Sequence, residues 1–274
     1  MHEFVSFNQC IIPSSDSFIS ATSAAALYGK GIFTTLAIYN SKPFQWEKHW
    51  RRLTKNAQKI GVDLSKISKQ TIEQLLSEII SANKIVNGRA RLTVLDESTS
   101  RIWQTSQRRK TSFLIQTADF RPVSESFCLA VSPFAVNSKS PLTGVKSCNY
   151  LENILVLDDA KAKGFDEAIR VNERGAIVSA AMANVFWIKG ARIFTPSLNT
   201  GCLEGTTRAV FLENFAVNEI EAQIKTLMEA DAVFLTSAGI EIVEVKSING
   251  QEFPASSDAI GKLQNFFRNL SEKS

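Results

Sequence analysis

The stretch from Asn172 to Arg208, NERGAIVSAAMANVFWIKGARIFTPSLNTGCLEGTTR, decides how the chain folds. It contains three short runs rich in β-branched and aromatic residues, AIVSA, NVFWIKG and RIFTP, separated by turn-forming residues. It ends in CLEGTTRAVFLEN, where Gly205 precedes Thr206 and Thr207 and then an apolar helical run. Free backbone N–H groups and the helix dipole favour an anion at such a start, and the two threonine hydroxyls add donors. Simple capping by threonine is the commoner reason for such a pair.

Working outward, further short β runs follow in AVFLTS and IVEVKSING, and others precede in FCLAVSPF and DEAIRVNE. In FLTSAGIEIV, Thr236 and Ser237 sit between an apolar strand and a glycine. That is a second place where backbone and hydroxyl could clamp a phosphate, although an ordinary strand-to-turn junction reads the same way. YLENILVLDDAKAKG reads as a helix between strands. Many short strands with helices interspersed predict a barrel-like α+β domain. The pattern breaks at TADFRPVSES, near Pro122, which predicts an N-terminal domain over 1–120 and a larger one over 121–274.

The N-terminal part reads as α/β. GIFTTLAIYNSKPFQ predicts a strand, a turn at Asn40 to Pro43 and a second strand. WEKHWRRLTKNAQKIG places Trp46, Trp50, Leu53 and Ala57 at helical spacing, with Gly61 as the stop. SKQTIEQLLSEIISANK is a second amphipathic helix, with Thr71 as the expected cap. GRARLTVLD and TSFLIQTA complete the sheet.

Composition excludes several classes of function. The 31 basic and 27 acidic residues are too balanced for a nucleic-acid binder, and RRK at Arg108 to Lys110 reads as a solvated loop. Four scattered cysteines and two histidines, with no CxxC pair, argue against a zinc site and fit a reducing compartment. The N-terminus has no basic segment followed by an apolar one, and no apolar run approaches the roughly 20 residues of a membrane helix. The expectation is a soluble cytoplasmic protein that binds neither nucleic acid nor membrane.

Two further features bear on chemistry. Lys146, in PLTGVKSCNYLEN, follows Gly144 and Val145 and precedes a helix. Partial burial would depress its pKa and make it a nucleophile, whereas most loop lysines are plain surface charges. In KHWRRL, His49 and Arg52 share one helix face among apolar residues. An arginine turned inward wants a fixed anion, while Arg51 reads as solvated.

In their order along the chain, these segments resemble the fold-type IV family of pyridoxal-phosphate enzymes, which includes branched-chain and D-amino-acid aminotransferases and aminodeoxychorismate lyase. YGKGIFTTL resembles its Y-G-D-G-x-F-E-T motif, and KHWRRL its E-H-x-x-R-L. GVKSCNYLENILVLDDAKAKGFDEAI is similar to the segment bearing the Schiff-base lysine. The stretch from Asn172 to Arg208 resembles the signature G-x-V-x-E-x-x-x-x-N-x-F … T-P … G-x-L-x-G-x-T-R. The resemblance implies a two-domain fold, a pyridoxal 5'-phosphate cofactor, a small-molecule amine substrate, a homodimer and no metal. It gives Lys146 the covalent attachment and proton transfer. It gives Arg52, Thr206 and Thr207 the cofactor phosphate, with Ser237 as a weaker candidate. Tyr28, Thr34 and Thr35 would lie near the substrate, and Asn184 would be structural.

Three departures shape the functional reading. Ser179 stands where the family carries the glutamate that keeps the pyridine nitrogen protonated. A serine cannot hold that proton, so the ring becomes a weaker electron sink, which tilts the reading toward elimination. FTT replaces the family's FET, a form associated with aminodeoxychorismate lyase, and Lys30 replaces the Asp of Y-G-D-G. RLTVLDESTSR lacks the usual Arg-Gly pair, which leaves Arg89, Arg91 and Arg101 as candidates for binding the substrate carboxylate. The expected activity is a lyase converting 4-amino-4-deoxychorismate to 4-aminobenzoate and pyruvate, with Thr35 assisting the leaving group. The alternatives are an aminotransferase for branched-chain or D-amino acids and a non-catalytic homologue.

Overall fold

The computed structural model describes residues 1–99, 110–120, 122–254 and 258–272. Arg101, Arg108 and Arg109 lie outside the described residues. The chain divides into two compact units: 1–120 with 145–150 and 271–274, and 121–144 with 151–270.

The first unit is built on a six-stranded antiparallel sheet of β1 (Phe4–Phe7), β2 (Cys10–Pro13), β3 (Gly31–Tyr39), β4 (Lys42–Pro43), β5 (Gly88–Asp96) and β6 (Thr111–Ala118). The spatial order is β2-β1-β6-β5-β3-β4. Three helices accompany it: α1 (Ala24–Tyr28), α2 (Trp46–Ile60) and α3 (Lys69–Ala82). Asn40 and Ser41 both take positive φ, 49° and 62°, which fits the twist of the tight β3–β4 hairpin. α2 turns Trp46, Leu53 and Ala57 into a core shared with Ile32, Leu36 and Ile38 of β3, and Gly61 ends it at φ 68°. Each such aliphatic side chain, fully buried, contributes about 1.5–3 kcal/mol. The cap of α3 is Ser68 rather than Thr71: its hydroxyl accepts from the Thr71 N–H at 3.0 Å. The helix starts three residues earlier than expected because serine caps as well as threonine.

The second unit contains β7 (Cys128–Val131), α4 (Leu151–Ala162), β8 (Glu167–Val171), β9 (Ile177–Ala180), β10 (Asn184–Lys189), β11 (Arg192–Pro196), α5 (Thr206–Asn214) and β12 (Val217–Ile220). It continues through α6 (Ile224–Met228), β13 (Ala232–Ser237), β14 (Glu241–Val245), β15 (Ser247–Ile248), β16 (Gln251–Glu252) and α7 (Asp258–Glu272). The strands form two five-stranded sheets, β12-β11-β10-β13-β14 and β16-β15-β7-β8-β9. Both sheets feed one core: Val185, Trp187, Val233 and Leu235 come from the first, and Leu129, Ile169 and Ile177 from the second. α4 lies on the second sheet through Val156, Leu157 and Ala160 against Ala130, Ala168 and Ala181. The small side chains beneath let the helix approach closely.

Among the described residues no helix is long and apolar enough to cross a membrane, and no group of three His, Cys, Asp or Glu could hold a metal ion.

Candidate active site

The segment carrying Lys146 joins the edge of β3. Phe33 N–H donates to the Lys146 carbonyl at 2.9 Å, and Cys148 N–H to the Gly31 carbonyl at 2.8 Å. Gly31 permits this approach, since a Cβ there would sit 2.8 Å from the Val94 carbonyl and 3.0 Å from Cys148 Sγ. Val145 anchors the segment in the core of the first unit. Lys146 Nζ then lies 4.4 Å above the Phe33 ring and 4.8 Å from the Tyr150 ring, with Tyr150 Oη at 3.4 Å. Ring faces favour an ammonium ion. Burial opposes it, and so do the guanidinium ions of Arg52 and Arg91. These win, and the Lys146 pKa falls well below the ordinary lysine value. Its amine can therefore serve as a nucleophile and a proton acceptor.

Arg52 is positioned by a relay across β3 and α2. Its Nη2 donates to Thr34 Oγ1 at 2.8 Å. The same hydroxyl is hydrogen-bonded to His49 Nδ1, 2.7 Å away. Burial, then Arg52, then Lys146, lower the His49 pKa well below 6.5. Thr34, expected at the substrate end, thus has its hydroxyl committed to His49 and Arg52. One consequence is measurable. Unfolded His49 takes a proton below about pH 6.5, whereas folded His49 stays neutral, so acidification favours unfolding. The His49→Gln variant should lose less melting temperature than the wild type between neutral pH and mildly acidic pH.

Phe33 and Thr35 share the opposite face of β3. Arg91 pairs with Thr35 in the ladder, and its guanidinium stacks 3.8 Å over Phe33, the ring that also faces Lys146. Arg91 Nε donates to Thr93 Oγ1 at 3.2 Å. Burial lowers its pKa, and Cys148 and Tyr150 partly restore it. Arg91 therefore sets a guanidinium beside the candidate nucleophile. The sequence named it as one of three candidates and could not place it, because which arginine reaches Phe33 is a matter of strand register. Tyr28 ends α1, and its side chain is exposed. Lys30, which departs from the family motif, forms an ion pair with Asp96 at 2.8 Å. Burial raises the Asp96 carboxyl, and the bonds from Lys30 and Ser98 outweigh it, so the group stays below its ordinary value.

The second unit gathers the other expected residues. No side chain caps α5 at Gly205, and no acidic residue sits in its first turn. Thr206 and Thr207 are buried there. Gly205 is required at the cap, since a Cβ would collide with Asn184 Oδ1, and Asn184 Nδ2 donates to the Leu203 carbonyl at 2.9 Å. Asn184 pairs in register with Thr236, whose hydroxyl is buried and has no hydrogen-bond partner. Ser237 Oγ accepts from Gly239 N–H at 3.2 Å. Unspent helix N–H groups and an orphaned buried hydroxyl suit a phosphate, and a depressed lysine suits an aldehyde. Taken separately, the second unit's residues fit the phosphate of pyridoxal phosphate and the first unit's lysine fits its aldehyde.

Ser179 is half-buried on β9, directly opposite Arg170 of β8. Thr236 was read from the sequence, with Ser237, as a possible phosphate clamp. Arg170's position opposite Ser179 was not foreseen, because strand register carries it and local sequence does not show it.

Residues 31–248 match the family model for amino-transferase class IV. The chain belongs to this family, whose members use pyridoxal phosphate. It is 27% identical over 265 residues to the aminodeoxychorismate lyase of Bacillus subtilis, covering 92% of this chain and 89% of that one. It is 28% identical over 257 residues to the D-alanine aminotransferase of Bacillus licheniformis, with 90% and 89% covered. Among solved structures, a putative 4-amino-4-deoxychorismate lyase from Legionella pneumophila superposes with a TM-score of 0.86 at 26% identity, covering 94% of this chain and 97% of that one. The branched-chain aminotransferase of Escherichia coli gives 0.91 at 22% identity, covering 98% and 94%, a likeness of fold.

Proposed function

We propose that the protein is a pyridoxal-phosphate lyase that converts 4-amino-4-deoxychorismate to 4-aminobenzoate and pyruvate. The observation that carries this reading is the Lys146 amine, drawn toward its neutral form beside Arg52 and Arg91. That environment fits a reagent, and a non-catalytic homologue has no need of it. Lys146 attaches the cofactor. Arg52, Thr206 and Thr207 bind its phosphate, with Ser237 as a further donor. When bound, the cofactor acts as an electron sink that acidifies the carbon–hydrogen bond next to the substrate amine. Lys146 takes that proton as general base. Thr35, which shares the Phe33 face of β3, donates a hydrogen bond to the departing enolpyruvyl oxygen. Release of pyruvate leaves an aromatic ring, which drives the reaction forward.

Arg91 binds a substrate carboxylate. Arg91→Gln should raise KM roughly 10- to 100-fold, the worth of a charged hydrogen bond, with kcat changed far less. Steady-state kinetics on wild type and variant separate the two constants. A fall confined to kcat would assign Arg91 a different role.

The test of the activity is direct. Aminodeoxychorismate incubated with the loaded protein should yield pyruvate and 4-aminobenzoate. A second reading, an aminotransferase, is favoured by the likeness to the D-alanine aminotransferase. It predicts glutamate when D-alanine or a branched-chain amino acid is supplied with 2-oxoglutarate. Turnover of neither would favour the non-catalytic homologue.

A homodimer is part of the same proposal. Leu151, Ile154 and Leu155 form an exposed apolar stripe at helical spacing on α4, a surface suited to a second copy.

A further inference from the structure

Arg170 and Ser179 face each other across the β8–β9 ladder, so both side chains emerge on one face of the sheet. That is the face α4 covers. Ala168 and Ala181, each two residues away from one member of the pair, pack under Val156, Leu157 and Ala160. Arg170 is a buried cation there, with its side chain 6% exposed. A guanidinium keeps its charge even when buried, so it needs acceptors. Nη2 has one in Glu152, at the first turn of α4. Nε is buried and has no hydrogen-bond partner. A buried charged donor left unsatisfied carries a desolvation cost, which a bound acceptor would recover. Ser179 marks where such an acceptor could enter. It is half-buried on the face it shares with Arg170, whereas the next residue on that face, Ala181, is 2% exposed under α4, so the face is less tightly covered at Ser179.

We infer that Arg170, beside Ser179, donates a hydrogen bond to the unprotonated ring nitrogen of bound pyridoxal phosphate. This rests on the reading above that Ser179 meets the cofactor. The chemistry follows from the side chain. A carboxylate at this place would share a proton with the ring and hold it positive. A guanidinium can only donate, and its charge repels a ring proton. The ring then remains a modest electron sink, which suits a reaction that expels its leaving group at once. Transamination, which needs charge held on the ring, is disfavoured. Glu152 holds the guanidinium in place and leaves its Nε edge free.

The test reads the nitrogen itself. The protein is loaded with pyridoxal phosphate labelled with nitrogen-15 in the ring, and its NMR shift is followed through a pH titration. Borohydride reduction and peptide mapping of the same sample report whether Lys146 holds the cofactor. In wild type the ring nitrogen should stay unprotonated across the neutral range. In Arg170→Met its protonation midpoint should move to higher pH. In the Arg170→Met, Ser179→Glu double variant it should be protonated at neutral pH. Glu152 is largely exposed and can be solvated, so removing Arg170 strands no buried acid. Ser179→Glu alone gives a second reading should the other variants fold poorly: with Arg170 retained, the new carboxylate should pair with it and the nitrogen remain unprotonated. A protonated nitrogen in wild type, or a midpoint indifferent to Arg170, overturns the inference while leaving the proposed activity intact. Absence of any adduct on Lys146 overturns both.

Discussion

Lys146→Met should abolish turnover and, in the same protein without cofactor, raise the melting temperature. The activity loss follows from removing both the attachment point and the general base, and should reach about ten-thousand-fold or more. The gain in stability follows from the lysine's surroundings. Unfolded, Lys146 is protonated at neutral pH. Folded, burial and the charges of Arg52 and Arg91 oppose its proton, so folding carries a cost that methionine does not. The sign can be checked by pH. The unfolded chain binds more protons up to the ordinary lysine value, so wild-type stability should rise with pH and the gap to Lys146→Met should narrow. Calorimetry of the two cofactor-free proteins across alkaline pH measures this. A variant that melts below the wild type at every pH would show that Lys146 is a structural ion and not a strained reagent.

Arg52→Met should weaken pyridoxal-phosphate affinity roughly 10- to 100-fold, the worth of a charge-assisted bond to phosphate. Affinity for pyridoxal, which lacks the phosphate, should change much less. Spectrophotometric titration with both compounds isolates the phosphate contribution. The substitution also removes the donor to Thr34 and one of the cations acting on His49 and Lys146. The pKa values of His49 and Lys146 should therefore rise together. Equal losses for the two compounds would mean that Arg52 serves the architecture of α2 and does not bind phosphate.

Much of this was legible in the residues. The helix from Trp46 to the Gly61 stop, the strands GRARLTVLD and TSFLIQTA, and the helix opening at Gly205 all carry strong local signals, and the structure has each of them. The inward turn of Arg52 was readable from its spacing to His49 on one helix face. What sequence could not show depends on long-range pairing. Val145 to Tyr150 returns to the first unit because its backbone bonds to Gly31 and Phe33, more than a hundred residues earlier. Arg91 meets Phe33 through the β3–β5 register, and Arg170 meets Ser179 through the β8–β9 register. The family resemblance set Thr34 and Thr35 together at the substrate end. Alternation along β3 sends their side chains to opposite faces, and only Thr34 reaches His49.

The central claim is that Lys146 is a covalent reagent for pyridoxal phosphate. Reducing the loaded protein with borohydride and mapping its peptides by mass tests it most directly. The pyridoxyl group should appear on the peptide containing Lys146 and be absent from the Lys146→Met protein. An adduct on another lysine, or none, would contradict the account.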